Sequence, residues 1–186
     1  MQLRSHTDEW LMQEVARENR DALEVLIRRH ANPLLTFLRR MTHDQHHSEE
    51  QFQEVFLLVW RHRHRYDWQR PFRPWLYRIA LNRCRTDGRR ATLPTVPVPD
   101  HEDELQAWRE PSPVDTAIAT ETSTHVAAAV QCLPEKQRTA VVLRIWQNLP
   151  YAEIAETLEC NEATARSHVF TALAKLRERL RPLLRD

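Results

Sequence analysis

Glycine is almost absent from this chain of 186 residues: it occurs once, at Gly88, whereas proline occurs 11 times. Folds built from strands and hairpins place glycine in many of their turns. The scarcity of glycine therefore argues against a β-rich fold and predicts an all-α protein. It also argues against the glycine-rich loops that hold phosphate groups, and no nucleophile–base pattern is present. Neither an enzymatic activity nor a cofactor is expected.

Cysteine and long apolar runs are also scarce. The three cysteines, Cys84, Cys132 and Cys160, lie far apart, and an odd number without CxxC spacing argues against a disulfide framework. No apolar run approaches the roughly 18–20 residues of a membrane span, and the first residues lack the apolar core of a signal peptide. The expectation is a reduced, cytoplasmic protein without membrane insertion, with no further domain after Asp186.

The formal net charge is only +1, but the charges are strongly segregated along the chain. Residues 61–90 contain ten arginines and only two acids, Asp67 and Asp87. Residues 100–121 contain seven acids and a single arginine, Arg109. This alternation indicates a segment that binds a polyanion, followed by an acidic segment.

A predicted helix with two faces, at residues 48–61 (SEEQFQEVFLLVWR), is central to the interpretation. Apolar side chains recur at the i, i+3, i+4, i+7 spacing of one helical stripe: Phe52, Val55, Phe56 and Val59. The opposite face is polar, yet Leu57 falls in its middle. Single exposed leucines are common and need no explanation. The alternative is that Leu57 is the centre of a contact surface.

Helical periodicity continues toward the N-terminus. Thr7 or Asp8 is predicted to cap a first helix, which ends at residues 18–21. A second helix is predicted over residues 22–41, with Pro33 marking a kink or a new first turn. A polar connection then leads to the two-faced helix.

Further helices are predicted after the two-faced helix, and a segment without helical periodicity interrupts them. Residues 72–90 form a helix for which Gly88 is the predicted stop. Residues 91–113 are rich in proline and acids, which is typical of a linker. The predicted fold is therefore all-α, with two small helical domains, 1–90 and 114–186, joined by an acidic, proline-containing linker.

The C-terminal domain carries a helix-turn-helix pattern. A short helix, with Ile154, Ala155 and Leu158 facing inward, joins a longer helix through residues 159–161, and Asn161 is the predicted N-cap. The inward side chains of the longer helix are predicted to be Val169, Leu173, Leu176 and Leu180. Ordinary packing of two helices is the alternative, because the usual turn glycine is missing.

The outward face of this longer helix favours DNA. It carries small and hydroxyl-bearing side chains together with one cation and two rings: Ala163, Thr164, Arg166, Ser167, His168, Phe170, Thr171 and Ala174. Small residues allow close approach to base edges, and arginine binds guanine or phosphate. A solvated face is the alternative, but such faces favour Glu and Lys, which are absent from residues 163–174.

Aromatic residues are interleaved with the arginines of the basic segment. Tyr66, Trp68 and Phe72 lie in or beside a loop, where exposed rings would stack on unpaired bases. The alternative is a basic surface helix whose aromatic side chains belong to the core, and we expect this for Trp75 and Tyr77. The pattern indicates binding of single-stranded as well as duplex DNA.

These motifs together resemble those of the extracytoplasmic-function (ECF) sigma factors of bacterial RNA polymerase. Residues 48–56, SEEQFQEVF, resemble the acidic helix of that family. Residues 72–90, FRPWLYRIALNRCRTDGRR, resemble its promoter-melting helix, which reads the minus-ten element. Residues 133–180 resemble its minus-thirty-five-reading domain. The resemblance covers nearly the whole chain, and it assigns residues 1–90 to sigma domain 2 and 114–186 to sigma domain 4.

The resemblance implies three sets of functional residues. Docking on the clamp helices of the polymerase β′ subunit would involve Glu49, Glu50, Gln53, Glu54 and Leu57. Minus-ten DNA would be bound by Tyr66, Trp68, Phe72, Arg73, Arg83, Arg89 and Arg90, with the three aromatic residues at the loop that captures a flipped base. Minus-thirty-five DNA would be bound by Thr164, Arg166, Ser167, His168, Phe170 and Thr171.

The resemblance also implies partners. Core RNA polymerase would contribute its β′ and β subunits, with the acidic linker running through the active-site and RNA-exit region. Promoter DNA would be bound both as duplex and melted, and an anti-sigma factor would act as inhibitor. The chain departs from the residues usual in the family at four positions. It has Glu50 where the family usually has Asp, Gln51 where it has an apolar residue, Ala163 where it has Gly, and His168 where it has Arg.

Two other functions are alternatives. A stand-alone helix-turn-helix regulator would leave the two-faced helix and the aromatic loop without a purpose. A metal-dependent sensor would use the histidine cluster formed by His43, His46, His47, His62 and His64. Their spacings match no standard zinc site, and no cysteine lies nearby, so no metal is expected.

Overall fold

The computed structural model describes residues 3–42, 45–90 and 117–184 of the chain. These ranges contain eight α-helices and no β-strand: α1 (Asp8–Ala16), α2 (Arg20–Thr42), α3 (Gln45–Arg61), α4 (Phe72–Arg90), α5 (Ala117–Gln131), α6 (Glu135–Ile145), α7 (Tyr151–Leu158) and α8 (Glu162–Leu180). Helices α1–α4 form an N-terminal domain and α5–α8 a C-terminal domain. The predicted all-α fold is confirmed, and the predicted linker, residues 91–113, lies outside the described residues.

Short polar side chains determine where the first two helices begin. Thr7 is the N-cap of α1, and its Oγ1 accepts a hydrogen bond from the backbone N–H of Trp10 at 3.3 Å. The chain leaves α1 through Glu18, which has a left-handed φ of 69°. Asn19 Oδ1 then accepts a hydrogen bond from the N–H of Ala22, at 3.2 Å, in the first turn of α2. The predicted break between the two helices is confirmed.

Two helices continue past a residue at which the sequence predicted a kink, a new first turn or a stop. Helix α2 continues through Pro33 to Thr42, so Pro33 does not begin a new helix. Burial of the side chains that follow Pro33 favours continuation despite the lost hydrogen bond. Helix α4 continues through Gly88 to Arg90. A glycine ends a helix when it adopts a left-handed φ, and among the described residues the only glycine does not.

The N-terminal core lies between α2, α3 and α4. Val55, Phe56 and Val59 are buried and Phe52 is partly buried against them, which confirms the predicted inward stripe of α3. They pack with buried side chains of the neighbouring helices, among them Leu34, Phe37, Leu38, Leu76 and Tyr77. Each such side chain contributes about 1.5–3 kcal/mol relative to full exposure. This packing fixes which face of α3 points outward.

The helix-turn-helix of the C-terminal domain forms as predicted, through α7 and α8. Glu159, at φ 53°, takes the left-handed conformation for which a glycine is the usual residue. Asn161 caps α8, with its Oδ1 accepting from the N–H of Thr164 at 2.7 Å. The buried stripe of α8 is Ala165, Val169, Ala172 and Leu176. Leu173 was predicted to face inward, but it lies beside this stripe and is exposed.

The two domains pack directly against each other. Helix α4 lies against α7, and the C-terminal end of α2 contacts α5 and α6. The buried apolar side chains of both domains belong to one continuous cluster. The side chains that α2 and α4 point away from their own domain are therefore partly covered by the C-terminal domain.

Candidate functional site

Helix α3 presents an outward face that we call the acidic face, formed by Glu49, Glu50, Gln53, Glu54 and Leu57. Glu50 and Gln53 are exposed, and Glu49 and Glu54 are half-buried. Leu57 is 40% exposed, as its position on the polar side of the helix predicted. Glu49 approaches Arg39 to 3.9 Å, a long contact between exposed groups that contributes little. The acidic face is thus an apolar side chain surrounded by carboxylates.

A buried amide lies on the inner side of the same helix. Gln51 is fully buried. The family that this chain resembles usually has an apolar residue at this position. The Cys84 thiol of α4 donates to Gln51 Oε1 at 3.1 Å, and the amide nitrogen lies 3.1 Å from His47 Nε2. Buried polar groups of this kind are normally satisfied. The contact with Cys84 connects α3 to α4 and holds the acidic face in place.

The loop between α3 and α4 exposes Trp68 at the tip of a turn. Asp67 Oδ1 accepts a hydrogen bond from the N–H of Gln69, and the carbonyl of Asp67 accepts from the N–H of Arg70, both at 3.0 Å. Aspartate favours this turn because its side chain bonds the backbone two residues further on. Trp68 is 56% exposed as a result. Its indole is available for stacking.

Phe72 does not share that exposure, so the exposed position predicted for its ring is wrong. As the first residue of α4 it is fully buried, and its backbone N–H donates to Glu9 Oε1 at 3.0 Å. Its ring centroid lies 5.2 Å from that of His30. Tyr66 is half-buried, and its ring centroid lies 5.0 Å from that of Trp75. Of the three predicted aromatic residues, Trp68 presents the most exposed ring.

The arginines predicted to bind minus-ten DNA are placed differently from one another. The guanidinium of Arg73 donates to the carbonyl oxygen of Gln147 in the C-terminal domain. Arg83 is half-buried. Arg89 and Arg90 form the last turn of α4, and their side chains lie outside the described residues.

Two arginines of α4 that the sequence did not single out also face the C-terminal domain. Arg85 Nε donates to Glu135 Oε1 at 2.7 Å. Arg78 Nη1 lies 3.5 Å from Glu159 Oε1. Their charge was evident in the sequence, but their partners are 50 or more residues away. Local pattern could not reveal these pairs.

A buried hydrogen bond lies among these arginines and was also missed. The hydroxyl of Tyr77 donates to Gln147 Oε1 at 2.9 Å, and both side chains are buried. Burial raises the pKa of the Tyr77 hydroxyl, although Arg73 partly opposes this, so the group stays protonated and acts as the donor. The sequence signal for such a bond is the amide of Gln147, which lies between the apolar residues Trp146 and Leu149. This signal does not identify the partner.

The carboxylate of Glu153 faces the same contact between the domains. Its Oε2 is buried without a hydrogen-bond partner in the described structure. Burial raises the pKa of Glu153; Arg73 opposes this, and the neighbouring Glu156 and Glu9 reinforce it. The ionised form of Glu153 is therefore disfavoured in the folded protein.

The outward face of α8 is accessible. Arg166, Ser167 and Phe170 are exposed, the last by 76%, whereas Thr164, His168 and Thr171 are half-buried. The guanidinium of Arg166 donates to Glu162 Oε1 at 2.6 Å, and its Cζ lies 4.4 Å from the centroid of the Tyr151 ring. The six predicted residues share one helix, and its N-terminus is fixed by a side-chain cap.

The described part of the chain gives the histidine cluster no metal-binding arrangement. No group of three or more His, Cys, Asp or Glu side chains that could hold a metal ion occurs in residues 3–42, 45–90 and 117–184. The side chains of His43 and His46 lie outside the described residues. In the same ranges, none of the helices combines the length and the apolar character that crossing a bilayer requires.

Comparison with protein families and solved structures agrees with this architecture. The model for Sigma-70 region 2 matches residues 26–93, and that for Sigma-70, region 4 matches residues 125–176. CnrH, solved in complex with the cytosolic domain of CnrY, shares the fold with a TM-score of 0.73 at 24% identity, covering 94% of this chain and 97% of CnrH. RpoE of Bartonella quintana, solved with the anti-sigma factor NepR, gives a TM-score of 0.64 at 18% identity, covering 85% and 96%.

Curated relatives extend the similarity over the whole chain. The RNA polymerase sigma-H factor of Pseudomonas aeruginosa is 30% identical over 191 residues, covering 99% of each chain. The ECF RNA polymerase sigma-E factor of Escherichia coli K12 is 28% identical over 186 residues, covering 96% of this chain and 97% of its own. The predicted family is confirmed: the chain belongs to the ECF sigma factors, which bind core RNA polymerase and direct promoter recognition.

Proposed function

We propose that this sigma factor performs initiation through three surfaces: the acidic face of α3, the turn at Trp68 with the basic helix α4, and the outward face of α8. The observation that best supports the proposal is that the first two of these surfaces lie next to each other on adjacent helices. Helices α3 and α4 pack side by side, and the loop that joins them exposes Trp68. Residues 1–90 would act as sigma domain 2, residues 91–113 as the linker and residues 114–186 as sigma domain 4.

The acidic face would dock on the clamp helices of the β′ subunit. Interfaces gain most of their affinity from a few apolar anchors at the centre of the contact, which a polar rim shields from water. Leu57 has that position among Glu49, Glu50, Gln53 and Glu54. The carboxylates would add steering toward a basic partner and fix the orientation of docking. The β subunit would supply a second contact, to the C-terminal domain.

Minus-ten DNA would be engaged as a melted strand. The exposed ring of Trp68 is suited to stack on an unpaired base, and Tyr66 would support it from the side. Arg73, Arg83, Arg89 and Arg90 would bind phosphates, which adds affinity without sequence preference.

Minus-thirty-five DNA would be read by α8. Ser167 and His168 would face base edges, with Thr164, Phe170 and Thr171 beside them. Arg166 would reach either a guanine or a phosphate. The stacking of Arg166 on Tyr151 and its pairing with Glu162 restrict the guanidinium before DNA arrives.

The partners and the site of action follow from this role. We propose that the protein acts in the cytoplasm with RNA polymerase and has no catalytic activity of its own. An anti-sigma factor is proposed as its inhibitor, because the similar folds of CnrH and RpoE were solved with CnrY and with the anti-sigma factor NepR.

In vitro transcription tests the proposal. Core polymerase is incubated with fragments of the source genome, with and without the purified chain, and transcript 5′ ends are sequenced. We expect new start sites that share two upstream elements and that appear only when both proteins are present. DNA binding by the chain alone, with no new start sites in the presence of core polymerase, would contradict the proposal.

A further inference from the structure

The loop that presents Trp68 does not by itself fix the distance between its two ends. It connects α3 to α4 over residues 62–71. The turn at Asp67 closes locally, with the carbonyl of Asp67 accepting from the N–H of Arg70 at 3.0 Å. The eight residues 64–71, if extended, would span up to about 27 Å. The separation of the two ends is therefore set by contacts outside the loop.

Helix α1 binds one end of this loop through Glu9. The backbone N–H of Phe72, the first residue of α4, donates to Glu9 Oε1 at 3.0 Å. The first N–H groups of a helix have no partner within it, and a carboxylate near them also interacts favourably with the helix dipole. Glu9 therefore caps α4 although it lies 63 residues earlier in the chain.

Further contacts hold Glu9 itself in a defined position. The preceding residue, Asp8, lies with Oδ2 2.8 Å from Nε2 of His30, a buried residue of α2. The guanidinium of Arg29 also donates to Asp8. The ring centroid of His30 lies 5.2 Å from that of Phe72. The N-terminal end of α1 is therefore anchored to α2 as well as to the start of α4.

The other end of the loop is bound by Glu18, two residues beyond the end of α1. Glu18 Oε1 accepts a hydrogen bond from Arg63 Nη2 at 2.9 Å. Arg63 is in turn fixed to α3, because its Nη1 donates to the carbonyl of Trp60 at 2.9 Å and its Cζ lies 4.4 Å from the Trp60 ring centroid. The side chain of Glu18 is 71% exposed, so solvent makes this the weaker of the two contacts.

We propose that α1 is a positioning element for promoter opening. With nine residues it is a rigid segment about 13 Å long, and through Glu9 and Glu18 it holds the two ends of the loop apart at a fixed distance. The ring of Trp68 is then already in place when a minus-ten base becomes unpaired, which lowers the cost of ordering the loop on binding. Neither glutamate touches DNA. This role of α1 rests on the proposed function of Trp68 in base capture.

The expected effects follow from what each substitution leaves behind. Complete loss of a stacked base corresponds to about 5- to 150-fold. Glu9→Leu displaces the loop without removing the ring of Trp68, so it should slow promoter opening by about fivefold, near the lower end of that range. Glu9→Gln keeps an oxygen that accepts from the Phe72 N–H and should open promoters at nearly the wild-type rate. Glu18→Gln weakens an exposed pair and should slow opening by about twofold.

The test measures the rate of promoter opening by time-resolved permanganate footprinting. Each full-length variant is combined with core polymerase on a promoter mapped by transcription. Glu14→Gln is the matched control for Glu18→Gln, because it removes the same charge from a carboxylate whose partner, at 2.6 Å, is Arg17. The binding of each variant to core polymerase is measured in parallel by pull-down, and we expect it to be unchanged.

Each substitution is also combined with Trp68→Ala. Substitutions that act through the same side chain are not additive, whereas independent effects on the rate multiply. We expect Glu9→Leu and Glu18→Gln to cause no further slowing once Trp68 is removed. A general loss of stability would slow opening in both backgrounds. Hydrogen exchange of the free protein, followed by nuclear magnetic resonance, should show faster exchange of the Phe72 amide in Glu9→Leu and no change in Glu14→Gln.

Several results would overturn the role of α1. These are wild-type opening rates for Glu9→Leu and Glu18→Gln, equal slowing by these substitutions with and without Trp68, or unchanged exchange of the Phe72 amide in Glu9→Leu. Equal slowing by Glu14→Gln and Glu18→Gln would count against it as well. Thermal melting by circular dichroism identifies a variant that fails to fold. If Glu9→Leu is such a variant, Glu18→Gln and its control decide the question.

The same measurements distinguish a failure of this inference from a failure of the proposed function. Slow opening by Trp68→Ala, together with wild-type rates for the variants of α1, would reject only the role of α1. Normal opening by Trp68→Ala would reject base capture by this loop and the role of α1 with it. Absence of core-dependent transcription by the wild type would reject the sigma function itself.

Discussion

Helices α4 and α8 each span 19 residues and both are proposed to contact DNA, but they differ in what surrounds them. On α8 the side chains of Ser167 and Phe170 project into solvent. On α4 the guanidinium groups of Arg73 and Arg85 are bound to oxygens of the other domain. A basic sequence thus indicates where nucleic acid would bind, whereas tertiary packing decides whether that surface is accessible.

The acidic face of α3 behaves like α8 rather than like α4. Its central Leu57 is exposed, although α3 packs directly on α4. On this account the free protein exposes its polymerase-docking surface, its minus-thirty-five reader and the ring of Trp68, whereas Arg73 of the proposed minus-ten surface is bound by the C-terminal domain.

The largest effect is expected from disrupting the acidic face. Glu50→Lys combined with Leu57→Ser should abolish binding to core polymerase, because it reverses one charge and removes the apolar centre. Both side chains are exposed, so the free energy of unfolding should change by only about 0.5 kcal/mol per site. A pull-down with core enzyme and a thermal melt measure the two effects. Glu24→Lys on α2 is a charge-reversed control, and normal binding by the double variant would reject the docking assignment.

Phe72 belongs to the core, whereas Trp68, a few residues earlier, belongs to the proposed contact surface. Phe72→Ala should lower the free energy of unfolding by about 3–5 kcal/mol, since it empties a fully buried position. Trp68→Ala should leave stability nearly unchanged but impair promoter opening, because stacking contributes about 1–3 kcal/mol per base. Chemical denaturation and permanganate footprinting distinguish the two. Normal melting of promoters by Trp68→Ala would show that this ring does not capture a base.

On α8, substitutions of residues that contact bases should change sequence preference, whereas substitutions of residues that contact phosphates should change the salt dependence of binding. Ser167→Ala and His168→Ala should alter the preferred minus-thirty-five sequence by about 1–3 kcal/mol per contacted base pair. If Arg166 contacts a phosphate, Arg166→Ala should lower the salt slope of binding by about one unit with preference unchanged. Promoter libraries selected by polymerase carrying each variant, at two salt concentrations, give both quantities. Identical preferences for wild type, Ser167→Ala and His168→Ala would mean that this face does not meet the bases.

The smallest effect concerns Glu153, at the contact between α4 and the C-terminal domain. Burial raises the pKa of Glu153 above that of an unfolded glutamate, so its ionisation costs stability at neutral pH. This cost is absent below the unfolded pKa of about 4.3 and is complete above the raised folded value. Glu153→Gln should therefore melt at a higher temperature than wild type at pH 7 and at the same temperature at the acid end. A lower melting temperature for Glu153→Gln at pH 7 would show that its charge stabilises the contact through Arg73.

The sequence predicted what local chemistry controls. The caps at Thr7 and Asn161, the inward stripe of α3 and the exposure of Leu57 all depend on residues within a few positions of one another. The burial of Phe72 was not predictable in this way, because it depends on α1 and α2 packing over the start of α4.

The contact between the domains is the clearest example of what the sequence did not reveal. Tyr77 was expected in the core and is buried, but its partner Gln147 lies on the other side of the linker. The arginines of α4 likewise find their oxygen acceptors at the start of α6 and just after the end of α7. Composition identified a basic helix, and only the three-dimensional arrangement shows what covers it.

The most direct test of the account is the structure of this sigma factor bound to core polymerase and a mapped promoter, determined by electron cryomicroscopy. The account predicts the acidic face on the clamp helices of β′ and Trp68 against an unstacked minus-ten base. It also predicts that Tyr77 Oη and Gln147 Oε1, 2.9 Å apart in the free protein, are separated beyond hydrogen-bonding distance. A promoter-bound complex in which the C-terminal domain still covers α4 would contradict it.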